Sequence, residues 1–99
     1  MIERIKEIFQ SGKVRFSSHA QKRIDERQVL ISEIENVLFN GEIIEAYPDD
    51  KPCPSYLILG YVRNNEPLYI LCAVEKYLTI ITVHWFDPEK WINHRTRRK

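Results

Sequence analysis

Cysteine and histidine are too few and too scattered in this 99-residue chain to supply a structural metal site. There are two of the first and three of the second, with no metal-like spacing. Cys72 lies in an apolar strand pattern, where a reduced, buried thiol is expected, and Cys53 lies in the Pro52-Cys53-Pro54 loop. A disulfide between them is not expected in a reducing compartment. No apolar run approaches the length of a membrane span. Met1 to Glu7 alternates charge with apolar residues instead of forming the apolar core of a signal peptide. A cytoplasmic protein with no membrane association is expected. An excess of charge is missing as well: 15 basic residues face 14 acidic ones. Arg95, Arg97, Arg98 and Lys99 sit at the C-terminus. Without them eleven basic groups face fourteen acidic ones, which excludes a broadly basic surface and confines any polyanion site to a local patch.

Hydrophobic residues make up 43% and charged residues 29%, a globular balance, and the length suits a single domain over 1–99 with one modest core. Ile2, Ile5, Ile8 and Phe9 recur at helical spacing ahead of Gly12, which predicts a helix over 2–11. Val14 to Phe16 reads as an extended link or small strand. Ser18-x-x-Gln21 is a capping-box pattern, predicting a second helix from about His19 to Arg27. Ser32-x-x-Glu35 predicts a third, with Ile34, Val37 and Leu38 inward and Gly41 as its stop.

Four strand patterns follow: 43–47, 56–62, 68–74 and 78–85. Asn64-Asn65 is read as a type I′ turn between the middle pair. Asp87-Pro88-Glu89 is the pattern of a capped helix start, predicting a short C-terminal helix anchored by Trp85 and Trp91. Residues 93–99 read as a frayed basic tail. The fold class is α+β: N-terminal helices on a mostly antiparallel sheet of about four strands, then a short helix. The central strands are apolar at almost every position, so both sheet faces are expected to be covered.

The functional signal is the second helix. His19, Arg23 and Arg27 are spaced i, i+4 and i+8, and each step turns the side chain by only ~40°. One stripe therefore carries an imidazole and two guanidiniums, with Glu26 close beside it. A titratable ring beside two fixed cations suits a phosphate-bearing ligand.

Phe16-Ser17-Ser18-His19-Ala20-x-x-Arg23-x-x-Glu26-Arg27, Gly41-Glu42-Ile43-Ile44-Glu45-x-Tyr47-Pro48-Asp49-Asp50-x-Pro52, Ile80-Ile81-Thr82-Val83 and Asp87-Pro88-x-x-Trp91 together resemble a small prokaryotic family. It is the domain of unknown function four-two-five-eight, which the chain resembles from about Phe16 to Trp91. A looser similarity runs to RelE- and BrnT-like ribonuclease toxins of toxin–antitoxin systems, which share helices followed by an antiparallel sheet. That resemblance implies metal-independent RNA cleavage without a cofactor, RNA as ligand and a cognate antitoxin as partner. Two features depart from the pattern. The body of this chain is slightly acidic where such toxins are basic, and His84 stands where relatives often have tyrosine.

Cleavage of this kind needs a base for the 2′-hydroxyl, an acid for the leaving oxygen and cations for the phosphorane. His19 and His84 are the candidate base and acid, and Arg23 and Arg27 the phosphate clamp. Glu26 is a candidate to orient an arginine or act as a base, and Tyr47 and Tyr61 to stack on a nucleobase or donate a hydrogen bond. Each has a structural alternative. His19 and His84 could be packing residues, the arginines and Glu26 solvated ion pairs, and the tyrosines sheet packing. Two other functional classes stay open: a noncatalytic RNA- or protein-binding module, and a purely structural role for the stripe.

Overall fold

The computed structural model describes residues 1–99. Helix α1 spans Ile2–Gln10, strand β1 Val14–Phe16, helix α2 Ser18–Glu26 and helix α3 Ile31–Asn40. Strands β2 (Glu42–Tyr47), β3 (Ser55–Val62), β4 (Glu66–Val74) and β5 (Leu78–Trp85) follow, with a 3-10 turn at Arg63–Asn65 between β3 and β4. The five strands form one sheet in the order β1-β5-β4-β3-β2. The α+β class holds, with two corrections. The short link at Val14–Phe16 is a fifth strand that pairs parallel to β5, so the sheet is mixed. The expected C-terminal helix is absent.

The reason for that absence is local. The Asp87 carboxylate accepts from Glu89 N, and its carbonyl from Lys90 N and Trp91 N, which closes a single turn. Beyond it the Asn93 side chain accepts from both Arg95 N and Thr96 N and turns the chain back. Trp91 then pairs with Arg97 as an antiparallel bridge, flanked by Ile92 N to Thr96 O and Arg98 N to Lys90 O. The residues read as a frayed tail thus run back beside Trp91, with Arg95 ion-paired to Glu42 and Arg97 to Glu45.

The helices cover one face of the sheet. Ile5, Ile8, Ala20, Ile34, Val37 and Leu38 pack with Ile58, Ile70, Leu78 and Ile80 in the main core. Each Ile, Val or Leu side chain among them contributes roughly 2 kcal/mol on removal from water. Helix α3 presses so closely on β3 that its two contact glycines admit no side chain. A Cβ on Gly41 would lie 2.5 Å from Val37 O, and one on Gly60 2.7 Å from Val37 Cγ2. Gly41 ends the helix with an extended φ of −79°, so close approach, and not a left-handed cap, requires glycine there.

The other sheet face carries a smaller core of Leu57, Leu59, Tyr69 and Trp91, so both faces are covered in the middle. Two helix caps differ from expectation. Ser17, not Ser18, caps α2 and accepts from Ala20 N at 3.0 Å. Helix α3 begins at Ile31, where Glu33 reaches back to Leu30 N at 2.9 Å in place of the Ser32–Glu35 pair. Asn64 and Asn65 both take positive φ, 49° and 60°, in the connection between β3 and β4.

Candidate functional site

Helix α2 is fastened along the edge of β5 where β1 runs out. Ser17 N donates to Ile80 O, and Ser17 Oγ to Ile81 O, both at 3.0 Å. At the other end of the helix, Arg27 Nη1 donates to Val83 O at 2.5 Å, and Trp85 Nε1 returns a bond to Arg27 O at 2.9 Å. The free edge carbonyls of β5 are met by the helix that carries the stripe, which fixes the stripe against the strand that carries His84.

A β-bulge decides which way His84 faces. Leu71 is opposite Thr82 and Cys72 opposite Ile80, which leaves Ile81 as an extra residue in β5. Before the bulge Leu78 and Ile80 point into the helix-side core, and after it Val83 does. Strict alternation from Leu78 would have sent Thr82 and His84 into that core. The extra residue turns them to the opposite face.

The consequence is an open cleft of about 590 Å³ lined by both parts. His19, Arg23 and Arg27 come from α2, Thr82 and His84 from β5, and Lys90, Trp91 and Arg97 from the C-terminal segment. Arg23, Arg27, Lys90 and Arg97 face one lining carboxylate, Asp87, while Glu26 and Glu45 pair with Arg23 and Arg97 from outside the lining. With both imidazoles neutral the local balance is four cations against three carboxylates, with Lys90 and Arg27 free of carboxylate partners.

The individual groups differ in freedom. His19 is exposed on the rim. Arg23 is half-buried and pairs with Glu26 at 2.5 Å, and Glu26 itself does not line the cleft. Arg27 is committed to Val83 O through one nitrogen. Arg97 is held by both Glu45 oxygens, at 2.9 and 2.8 Å, and lies over the Trp91 ring at 4.5 Å. Lys90 has no carboxylate partner within ion-pair distance, since the six ion pairs of the chain use other residues.

His84 is half-buried, and its ring is stacked on Tyr69. Tyr69 also stacks with Trp91, at 4.8 Å between centroids, and its hydroxyl donates to His94 O at 2.7 Å. Burial, helped by the nearby Tyr61 phenol, pushes the Tyr69 hydroxyl up to about 12, so it remains a neutral donor. Burial also pushes the His84 imidazole below its ordinary 6.5. The hydrogen bond to the Trp85 carbonyl opposes this, and the fields of Arg27, Arg97 and Lys90 add to it. In that bond His84 Nδ1 lies 3.3 Å from Trp85 O. A carbonyl only accepts, so Nδ1 carries the proton and Nε2 keeps the lone pair.

The two tyrosines separate. Tyr47 lines a second depression on the same sheet face and donates to Glu45. Tyr61 lies outside both depressions, 2.9 Å from His94 Nδ1. Sequence reasoning missed Lys90, Trp91 and Arg97 as lining residues. The Asp87-Pro88-x-x-Trp91 pattern was their one signal, because it marks a tryptophan held just past β5. Trp91 is fully buried, and its Nε1 has no hydrogen-bond partner. No group of three or more His, Cys, Asp or Glu side chains converges as a metal site would require.

Neither a curated protein nor a solved structure gives a match to this chain. A family model matches residues 16–85, from the last residue of β1 through the end of β5. It takes in the α2 stripe, the Ile81 bulge and His84, and stops short of Lys90, Trp91 and Arg97. The chain belongs to the family described as Domain of unknown function (DUF4258).

Proposed function

We propose that this protein is a toxin-like, metal-independent endoribonuclease that acts in the cytoplasm. The observation that carries the reading is that His19, Arg23, Arg27 and His84, from two separate elements, line one positively charged cleft. His84 Nε2 takes the proton from a ribose 2′-hydroxyl, and the 2′-oxygen attacks the adjacent phosphorus. The bond from phosphorus to the 5′-oxygen breaks, and protonated His19 gives that oxygen its proton. The products are a 2′,3′-cyclic phosphate and a 5′-hydroxyl. Arg23, Arg27 and Lys90 meet the charge that builds on the non-bridging oxygens. The lowered pKa of His84 suits a base, since it keeps the lone pair available at neutral pH.

In this reading the natural partner is an antitoxin with an acidic segment that covers the cleft. Induced expression tests the proposal: wild type stops growth and degrades cellular RNA, while His19→Ala and Arg23→Ala do neither. Growth arrest and RNA loss undiminished in both variants contradict it.

One observation favours a second reading, a noncatalytic module that holds RNA through the same cleft. Arg23 and Arg97 already have carboxylate partners, Glu26 and Glu45, which a phosphate must displace. Salt-sensitive RNA binding without any turnover is the outcome that selects it.

A further inference from the structure

A second depression of about 360 Å³ adjoins the cleft and shares Thr82, His84 and Arg97 with it. Its other lining residues are Tyr47, Asp50, Leu57 and Leu71. The chemistry changes across the shared residues. The cleft is rich in cations. The depression has a single cation, Arg97, already neutralised by Glu45, and adds the carboxylate of Asp50. Leu57 and Leu71 sit opposite each other on β3 and β4 and give it an apolar floor, with the Tyr47 ring beside them. A second phosphate is disfavoured here by Asp50. A flat, uncharged ring with N–H donors on its edge matches the apolar floor, the Tyr47 ring and the Asp50 carboxylate.

We propose that this depression is a nucleobase pocket and that Asp50 makes it selective for guanine. The proposal rests on the phosphate-binding reading of the cleft. His84 lies where the two spaces meet, so a nucleotide whose 3′-phosphate occupies the cleft has its base within reach of the depression. Guanine presents two adjacent donors, N1–H and the N2 amine, which a carboxylate accepts as a parallel pair. Adenine, cytosine and uracil present no such pair. Ser55 Oγ donates to Asp50 Oδ2 at 2.5 Å and anchors the carboxylate from the protein side.

The test is calorimetric titration of the full chain with 3′-GMP, 3′-AMP, 3′-CMP, 3′-UMP and inorganic phosphate, alongside Asp50→Asn. An asparagine oxygen still accepts from Ser55, so the loop keeps its anchor, and a thermal melt checks the fold. The expected result is about tenfold tighter binding of 3′-GMP than of the other three nucleotides. In Asp50→Asn that preference disappears while the affinity for inorganic phosphate is unchanged. Equal binding of all four nucleotides, no binding of any, or a guanine preference that survives Asp50→Asn overturns the proposal. The catalytic reading stands or falls separately. A protein that selects 3′-GMP yet cleaves no RNA keeps the pocket and loses the catalysis. One that cleaves with no guanosine preference 5′ of the cut keeps the catalysis and loses the pocket.

Discussion

His84 lies stacked on Tyr69, with 4.8 Å between ring centroids and 10° between planes. The contact holds the imidazole on the cleft face of β5 and shields one side of it from water. The Tyr69 hydroxyl donates to the His94 carbonyl, so its contact with the imidazole is through the ring face alone. The aromatic support and the lowered pKa of His84 are therefore one arrangement.

A pH dependence follows, and its sign is fixed. The folded-state pKa of His84 lies below its ordinary 6.5, so the unfolded chain takes up the proton first as the pH falls. Stability that is intact above 6.5 is lost as the pH falls from 6.5 down through the folded value. NMR titration of the His84 ring should show a midpoint below 6.5. The acid limb of any cleavage profile should follow that midpoint and be absent in His84→Gln. A midpoint at or above 6.5 contradicts the proposed base.

Arg23 and Arg27 are expected to part company although the sequence aligns them. The Arg27 side chain supports the fold, since its guanidinium bonds Val83 O. Arg27→Ala should lower stability by about 2 kcal/mol, the usual worth of a charged hydrogen bond. Arg23 is paired only with the exposed Glu26. Arg23→Ala should cost less than about 1 kcal/mol and still lose RNA affinity. Thermal melts and RNA binding on both variants separate the roles.

Arg97 should act as a ligand-binding residue although it lies in the C-terminal segment. Arg97→Ala is expected to weaken RNA binding and reduce the slope of log affinity against log salt by about one. Arg98, whose guanidinium bonds Pro88 O and does not line the cleft, is the control. Arg98→Ala should leave that slope unchanged.

The Glu33–Arg63 pair is a stability element with its own pH signature. Arg63 grips both oxygens of Glu33, at 2.7 and 2.5 Å, and also bonds Gln28 O. Glu33 is buried, and the Arg63 hydrogen bonds hold its carboxyl below the ordinary 4.5. The pair therefore stabilises the fold above pH 4.5, and the contribution is lost as the pH falls through the lowered value. Glu33→Gln should melt below wild type at pH 7, and the gap should narrow in acid. A gap that stays constant down to pH 3 contradicts this.

What could be read from the sequence was what is local. The α2 stripe depends only on helical spacing, so His19, Arg23 and Arg27 were legible as a set, and the apolar strand patterns located β2 to β5. The residues that were not legible depend on contacts between distant segments. Lys90 and Arg97 line the cleft because Trp91 docks on Tyr69 and Asn93 turns the chain back. Asp87-Pro88 has the local chemistry of a helix start, but the Trp91–Arg97 bridge competes with that helix and prevails. His84 was identified from residue type alone. The extra residue at Ile81, which turns it to the cleft, shows in the sequence only as the adjacent pair Ile80-Ile81, where the alternation of Leu78 and Ile80 changes phase to Ile81, Val83 and Trp85. The pairing of β1 with β5 spans more than sixty residues and had no local signal either.

The central claim is that His19 and His84 cleave RNA together without a metal. Its most direct test incubates purified wild type, His19→Ala and His84→Ala with a defined RNA in excess EDTA and analyses the new 3′ ends. The account predicts 2′,3′-cyclic phosphate ends with wild type, and at least a hundredfold slower formation with either variant, roughly the contribution of one acid or base. No cleavage by wild type, cleavage abolished by EDTA, or undiminished rates in both variants would contradict it.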